Sequence, residues 1–101
     1  MPIAPHRRKL GPNWNEGARL LWLAMLENDI KQSEVRKKLR GASGNELADG
    51  AVNRWLYGDR RPTGDLPHQI EDQFGVPARA WRQPALGGLP SRRRPAAKVA
   101  A

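Results

Sequence analysis

The sequence predicts a small all-α domain of four or five helices, and three observations support this fold class. Apolar residues recur at the i, i+3, i+4 spacing of a helix, most clearly at Val52, Trp55 and Leu56. No segment alternates polar and apolar residues with a period of two, so no sheet is expected. A chain of 101 residues has room for one domain with a modest core. We expect that domain to span residues 14–83.

The first helix is predicted over about residues 14–28. Asn13 has the side chain of an N-cap, and Glu16 stands three residues later, as in a capping box. The apolar run at 20–26 indicates a helix that is buried on more than one side. The alternative is a self-association face around Trp22 or Leu26.

The second helix is predicted over about residues 31–39, with Val35 and Leu39 as its inward pair at i, i+4. Residues 41–45 have the composition of a loop, because they are rich in Gly, Ser and Asn. A further short turn is expected after this loop, with Leu47 tucked inward. The connection to the third helix is therefore long.

The third helix is predicted near residues 50–58 and has two unlike sides. Asp49 can cap its N-terminus, and Gly58 supplies at its C-terminus a residue that tolerates positive φ. The apolar side chains point inward, whereas Asn53 and Arg54 lie on the open side. Asn and Arg offer paired hydrogen bonds to base edges, so this side suits a DNA groove. The alternative is that both are ordinary surface residues.

A fourth helix and a short fifth helix are predicted to close the core. Asp65 can cap the fourth helix, with Pro67 in its first turn, and Gly75 ends it. Its inward side chains repeat at i, i+4 and i+8: Leu66, Ile70 and Phe74. Residues 76–81 indicate the fifth helix, with Trp81 as its inward residue.

The net charge of +8 is concentrated at the two ends of the sequence. Residues 14–78 carry a net charge of only −1, whereas residues 1–13 carry +3 and residues 79–101 carry +6. Such blocks of like charge commonly contact polyanions, although solubilising tails are the alternative. We expect residues 1–13 to be a flexible basic arm and residues 84–101 a disordered tail rich in Arg, Pro and Ala.

Two segments resemble the Cro/CI, or lambda-repressor-like, helix-turn-helix family. Residues 30–35 are similar to the start of that family's second helix, and residues 52–58 to its recognition helix and closing Gly. The resemblance implies a four- to five-helix fold that binds duplex DNA. The sequence departs from the pattern in two ways. Leu39 and Val52 lie 13 positions apart, which is longer than usual, and Arg36 stands where the family favours Ala.

The polar residues around the second and third helices divide into two candidate sets. In a helix-turn-helix the first helix of the pair crosses the phosphate backbone, and the second enters the major groove. The candidate base-reading residues are Asp49, Gly50, Ala51, Asn53 and Arg54. The candidate phosphate contacts within the domain are Lys31, Gln32, Lys37, Lys38, Tyr57, Arg60 and Arg61. Those in the basic ends are Arg7, Arg8, Lys9, Arg92, Arg93 and Arg94. For Tyr57, packing in the core is the alternative.

These features lead to the hypothesis of sequence-specific binding to double-stranded DNA by a phage-type or bacterial transcriptional regulator, such as a repressor. Two alternatives remain open. One is an antitoxin-like or architectural DNA binder that holds a partner protein. The other is a helical protein-interaction adaptor that no longer binds DNA. A homodimer is compatible with each of them.

The composition argues against several functional classes. The sequence has no Cys, two His residues far apart and no Gly-rich phosphate loop, so we expect neither an enzyme nor a cofactor or metal site. No apolar run approaches the roughly 20 residues of a membrane span, and no apolar signal segment is present near the N-terminus. We therefore expect a cytoplasmic, nucleoid-associated location.

Overall fold

A computed structural model describes residues 9–41 and 44–90. Over these residues the chain forms four α-helices, α1 (Glu16–Asn28), α2 (Gln32–Lys37), α3 (Ala51–Leu56) and α4 (Leu66–Phe74), followed by a 3₁₀ helix (Ala78–Arg82). The same residues contain no strand, which confirms the predicted all-α class. None of these helices is long and apolar enough to cross a bilayer.

The start of α1 differs from the prediction. Asn15 is the N-cap, and its Oδ1 accepts a hydrogen bond from the backbone N–H of Ala18 at 2.9 Å. Asn13 was expected in that role, but its backbone N–H donates to the carbonyl of Gly58 at 2.7 Å. The Asn13 side chain likewise donates to the carbonyl of Asp59 at 3.0 Å. The turn after α3 therefore holds Asn13 away from the helix axis, and α1 begins two residues later than expected.

The core lies where α1 packs against α3 and the 3₁₀ helix. Its buried apolar side chains include predicted inward residues of every helix: Ala18, Leu21, Met25, Val35, Leu39, Val52, Trp55, Leu56, Ile70 and Trp81. Leu66 and Phe74, which were also predicted to point inward from the fourth helix, are only partly buried. Gly17 makes the closest approach, because a Cβ added there would overlap the ring of Trp81. Leu47 is also buried, which confirms that the long connection folds inward.

The last two helices follow the predicted order with two differences. Asp65 precedes α4 as expected, but its side chain makes no capping hydrogen bond. Gly75 ends α4 in the left-handed region, with φ 77°, as predicted. The fifth helix is a 3₁₀ helix rather than an α-helix. Pro84 accounts for its short length, because the residue before a proline is driven out of the helical region, and Gln83 is extended.

Parts of both expected flexible ends are packed against the domain. The backbone N–H of Gly11 donates to the carbonyl of Tyr57 at 2.7 Å, and Leu10 packs against the core. We call residues 83–90 the C-terminal strap, since they lie across the start of α1. Within the strap, Leu86 N–H donates to Glu16 Oε1 at 2.8 Å, and Trp14 Nε1 donates to the Gly87 carbonyl at 2.9 Å.

These contacts hold residues 10–13 and 83–89 against the helices, on either side of the predicted domain. The reason is that the first turn of α1 has backbone N–H groups without helical partners. The strap satisfies one of them, because Glu16 N–H donates to the Gln83 carbonyl at 3.0 Å. The remainder of both ends, including Arg7, Arg8 and Arg92–Arg94, lies outside the described residues.

Trp55→Ala should destabilise the protein by roughly 3–5 kcal/mol, because it removes a large side chain that is only 4% exposed. Phe74→Ala should cost clearly less, because Phe74 is only partly buried against the core. Urea unfolding of both variants measures the two losses. Equal losses would contradict the burial of Trp55 at the centre of the core.

Glu16 should make the stability depend on pH. A hydrogen bond from the Arg19 side chain is the largest cause that lowers the pKa of Glu16 below its ordinary value of 4.5. Burial opposes this shift, whereas the Leu86 N–H and the charge of Arg19 add to it. A carboxylate with a lowered folded-state pKa contributes stability above its unfolded pKa and loses that contribution as the pH falls through its folded pKa.

The free energy of unfolding should therefore fall as the pH is lowered from about 4.5, and Glu16→Gln should flatten that part of the curve. Asp72→Asn is the matched control, because Asp72 is exposed and makes no hydrogen bond or ion pair to the described residues. Denaturant titrations from pH 6 to pH 3 give the curves. A Glu16→Gln curve as steep as the wild type would show that Glu16 is not the responsible group.

Candidate nucleic-acid interface

The N-terminal ends of α2 and α3 lie side by side. Gln32 Nε2 donates to Asn53 Oδ1 at 3.4 Å, a long hydrogen bond between the first residue of α2 and the third residue of α3. Around this pair is a shallow recess of about 180 Å³, which Ser33 and Gly50 also line. The structure thus brings together one predicted phosphate contact and one predicted base-reading residue.

The core sets the orientation of α3. Val52, Trp55 and Leu56 are buried, so Arg54 is exposed on the opposite side and Asn53 is half-buried at the edge. A Cβ added to Gly50 would lie 3.9 Å from the guanidinium carbon of Arg54. The Arg54 side chain therefore extends toward the N-terminus of α3, the direction that long helical side chains favour. Its guanidinium makes no hydrogen bond or ion pair within the described part of the chain.

The residues just before α3 differ from the prediction. Gly50, not Asp49, is the N-cap, and its φ of 82° is a left-handed conformation that favours Gly. The Asp49 carboxylate makes no capping bond and instead accepts from Arg36 Nη1 at 2.7 Å. The physical reason is that a guanidinium is a stronger partner for a carboxylate than a neutral backbone N–H. Ala51 is half-buried, and its N–H donates to the Ala48 carbonyl.

Arg36 holds the long connection in place. Its Nε donates to the Leu47 carbonyl at 3.2 Å, and its guanidinium lies 2.7 Å from Asp49 and 3.9 Å from Glu46. We call these three contacts of Arg36 the Arg36 clamp. Sequence reasoning noted Arg36 only as a replacement for Ala and did not assign it a role. The signal in the sequence was the presence of two carboxylates, Glu46 and Asp49, in the connection after α2, because an arginine on that helix can form ion pairs with them.

The cations of α2 lie at opposite ends of the helix. Lys31 precedes its first turn, where the Lys31 N–H donates to Glu34 Oε1 at 2.9 Å. Lys37 is the last residue of α2 and Lys38 is its C-cap, and the six residues of the helix span about 9 Å. All three lysines are exposed. Lys31 therefore lies beside the Gln32–Asn53 pair, whereas Lys37 and Lys38 lie away from it.

Tyr57 is part of the core. It is 8% exposed, and its ring meets the ring of Trp22 edge-on, with centroids 5.4 Å apart. The structure thus supports the packing alternative for Tyr57 rather than a phosphate contact. Trp22 is half-buried against the core, and its Nε1 donates to the Leu56 carbonyl at 2.6 Å. The hydrogen bond to Leu56, the last residue of α3, thus holds the Trp22 ring next to the ring of Tyr57.

The two arginines after α3, Arg60 and Arg61, lie at different places on the surface. Arg60 is exposed, and its backbone N–H donates to the Arg54 carbonyl at 3.3 Å, which keeps it at the end of α3. Arg61 is also exposed but lines a separate groove with Arg79 and Arg82. Lys9 is exposed at the edge of the described residues.

No cluster of three or more potential metal ligands occurs in residues 9–41 and 44–90. Comparison of the chain with protein-family models, with curated proteins and with solved structures found no match. The functional interpretation therefore depends on the geometry of α2, α3 and the connection between them.

Arg36→Gln should loosen the connection without unfolding the domain. The variant loses both ion pairs and weakens the bond to the Leu47 carbonyl, while exposed ion pairs contribute only about 0–1 kcal/mol each. Hydrogen exchange should become faster over residues 44–50, with little change in α1. Lys37→Gln is the control, because Lys37 is exposed on the same helix and has no such partners. Unchanged exchange in Arg36→Gln would contradict the clamp.

Proposed function

We propose that this protein binds double-stranded DNA in a sequence-specific manner, as a phage-type or bacterial transcriptional regulator with a lambda-repressor-like helix-turn-helix. The observation that carries the proposal is the shared face of α2 and α3. On that face Gln32 contacts Asn53, and Arg54 extends toward the same end with a guanidinium that has no partner among the described residues.

The dimensions of α3 support entry into the major groove. An α-helix with its side chains is about 10–12 Å in diameter, which matches a major groove roughly 12 Å wide, and the six residues of α3 extend about 9 Å along it. Its buried side faces the core, so only its polar side is available to DNA. Arg54 would donate to guanine, and Asn53 would bond adenine while Gln32 holds its side chain in place.

Charge on the same face supports contact with phosphates. Lys31 at the start of α2 and Arg60 after α3 are exposed on either side of the proposed reading residues. The Arg36 clamp matters here, because it pairs the carboxylates of Asp49 and Glu46 with a cation. Arg36 reduces the combined charge of these two carboxylates from −2 to −1, which lessens their repulsion of a polyanion.

The proposal has further consequences. It implies a location with the DNA in the cytoplasm, no cofactor and no catalytic activity. Two half-sites would require a homodimer. A DNA binder that holds a partner protein would show the same dependence on Arg54 as a simple regulator. A helical adaptor that no longer binds DNA would show none.

Arg54→Ala should relax the base preference at one position of each half-site, because a bidentate Arg–guanine contact discriminates by about 1–3 kcal/mol. Binding-site selection from random duplexes with the wild-type and variant proteins measures this preference. If the wild type enriches no sequence, the proposal of specific binding fails. If Arg54→Ala enriches the unchanged wild-type sequence, Arg54 does not read bases.

Arg60→Ala should weaken binding to all duplexes alike and reduce the magnitude of the salt slope by about one. The reason is that Arg60 lies beyond the end of α3, where the phosphate backbone would pass. Titrations at several salt concentrations, with the selected and a scrambled duplex, give the slopes. A loss confined to the selected duplex would show that Arg60 contributes to base recognition instead.

A further inference from the structure

A second concave surface lies between the turn after α3, the first turn of α4 and the 3₁₀ helix. We call it the arginine groove. It has a volume of about 600 Å³, which is within the range of sites that hold small ligands or a few peptide residues. Its principal lining residues are Arg61, Pro62, Pro67, Arg79, Trp81 and Arg82.

The charge of the groove is unbalanced. Arg61, Arg79 and Arg82 are all exposed, and none makes a hydrogen bond or ion pair within residues 9–41 and 44–90. No Asp or Glu lines the groove. By contrast, Arg19 and Arg36 in the same domain each pair with a carboxylate. Three unpaired cations around one recess favour an anionic occupant.

The floor of the groove is apolar. Pro67 and Ala78 are half-buried and present apolar surface, whereas Pro62 and Trp81 are buried beside them and expose almost none. Such a floor accommodates an apolar side chain, which a phosphate backbone lacks. Of the arginines predicted to contact DNA within the domain, Arg61 lines this groove, whereas Arg54 and Arg60 do not. The combination of apolar floor and cationic rim therefore favours a peptide with both apolar and acidic side chains over DNA.

The two ends of this sequence are positively charged, as the groove is, so they are poor candidates to occupy it. Residues 91–101 carry only positive charges, and the C-terminal strap lies against α1 instead. An acidic segment of another protein has the charge that the groove favours.

We propose that the arginine groove binds an acidic segment of a partner protein, with an apolar side chain against Pro67 and Ala78. Carboxylates on either side would accept paired hydrogen bonds from Arg79 and Arg82, the bidentate geometry that guanidinium groups favour. This site is separate from the proposed DNA-reading face and does not depend on DNA binding.

The probe is a fluorescein-labelled peptide, Glu-Asp-Leu-Glu-Asp-Phe-Glu-Asp, titrated with the full chain and followed by fluorescence anisotropy at physiological salt. One control peptide has Gln and Asn in place of the acids. A second keeps the acids but has Ala in place of Leu and Phe. The groove requires both features, so the affinity of each control peptide should be lower by a factor of about ten or more.

The double variant Arg79→Gln/Arg82→Gln should weaken binding of the acidic peptide about tenfold, as expected for the loss of charge-assisted hydrogen bonds. Lys37→Gln/Lys38→Gln is the matched control, because it removes the same charge from an exposed site outside the groove. It should change peptide affinity by less than about twofold. Thermal melts followed by circular dichroism verify folding. Arg79→Lys/Arg82→Lys, which keeps the charge but not the paired donors, should give an intermediate loss.

Four outcomes would overturn the inference. The first is no binding of the acidic peptide to the wild type. The second is an equal loss in the two Gln double variants, which indicates non-specific attraction to a basic protein. The third is equal binding of the peptide without Leu and Phe, which removes the role of the floor. The fourth is that Arg79→Gln/Arg82→Gln weakens binding to a random duplex but not to the peptide, which makes the groove a phosphate-binding surface. None of these outcomes bears on base reading by Arg54.

Discussion

The packing of Trp81 against Gly17 is the contact on which the rest of the structure depends. The missing Cβ of Gly17 lets α1 approach the indole ring, which also meets Trp55 edge-on with centroids 6.4 Å apart. The indole N–H has no hydrogen-bond partner within the described residues, at a cost of about 1–3 kcal/mol. Burial of roughly 150–250 Å² at about 25 cal/mol/Å² contributes about 4–6 kcal/mol, so packing outweighs that cost.

This contact also determines what α3 presents to solvent. A helix of six residues is too short to be stable alone, since isolated helices shorter than about 12 residues are marginal in water. Its position therefore comes from the core through Val52, Trp55 and Leu56. Once these are buried, Arg54 is left exposed on the other side. The candidate DNA-reading face is thus a consequence of core packing.

The sequence by itself determined the features that depend on near neighbours. The spacing of Val35 and Leu39 predicted two side chains that are both fully buried, although α2 ends at Lys37 and not at residue 39 as predicted. Gly58 and Gly75 were predicted at helix ends, and both have positive φ. Burial of Trp81 followed from its place after a short apolar segment. In each case a few consecutive residues contain the whole physical cause, so periodicity and turn chemistry suffice.

The tertiary structure alone decided the features whose partners are distant in sequence. Asn13 and Asn15 are equally good caps locally, and the carbonyls of Gly58 and Asp59 decide between them by binding Asn13. Asp49 is a plausible cap until Arg36, which lies 13 positions earlier, takes its carboxylate. The strap likewise docks because α1 has unsatisfied donors and a buried carboxylate at its start. Hydrogen-bonding groups have several possible partners, and only the packed chain determines which of them are within reach.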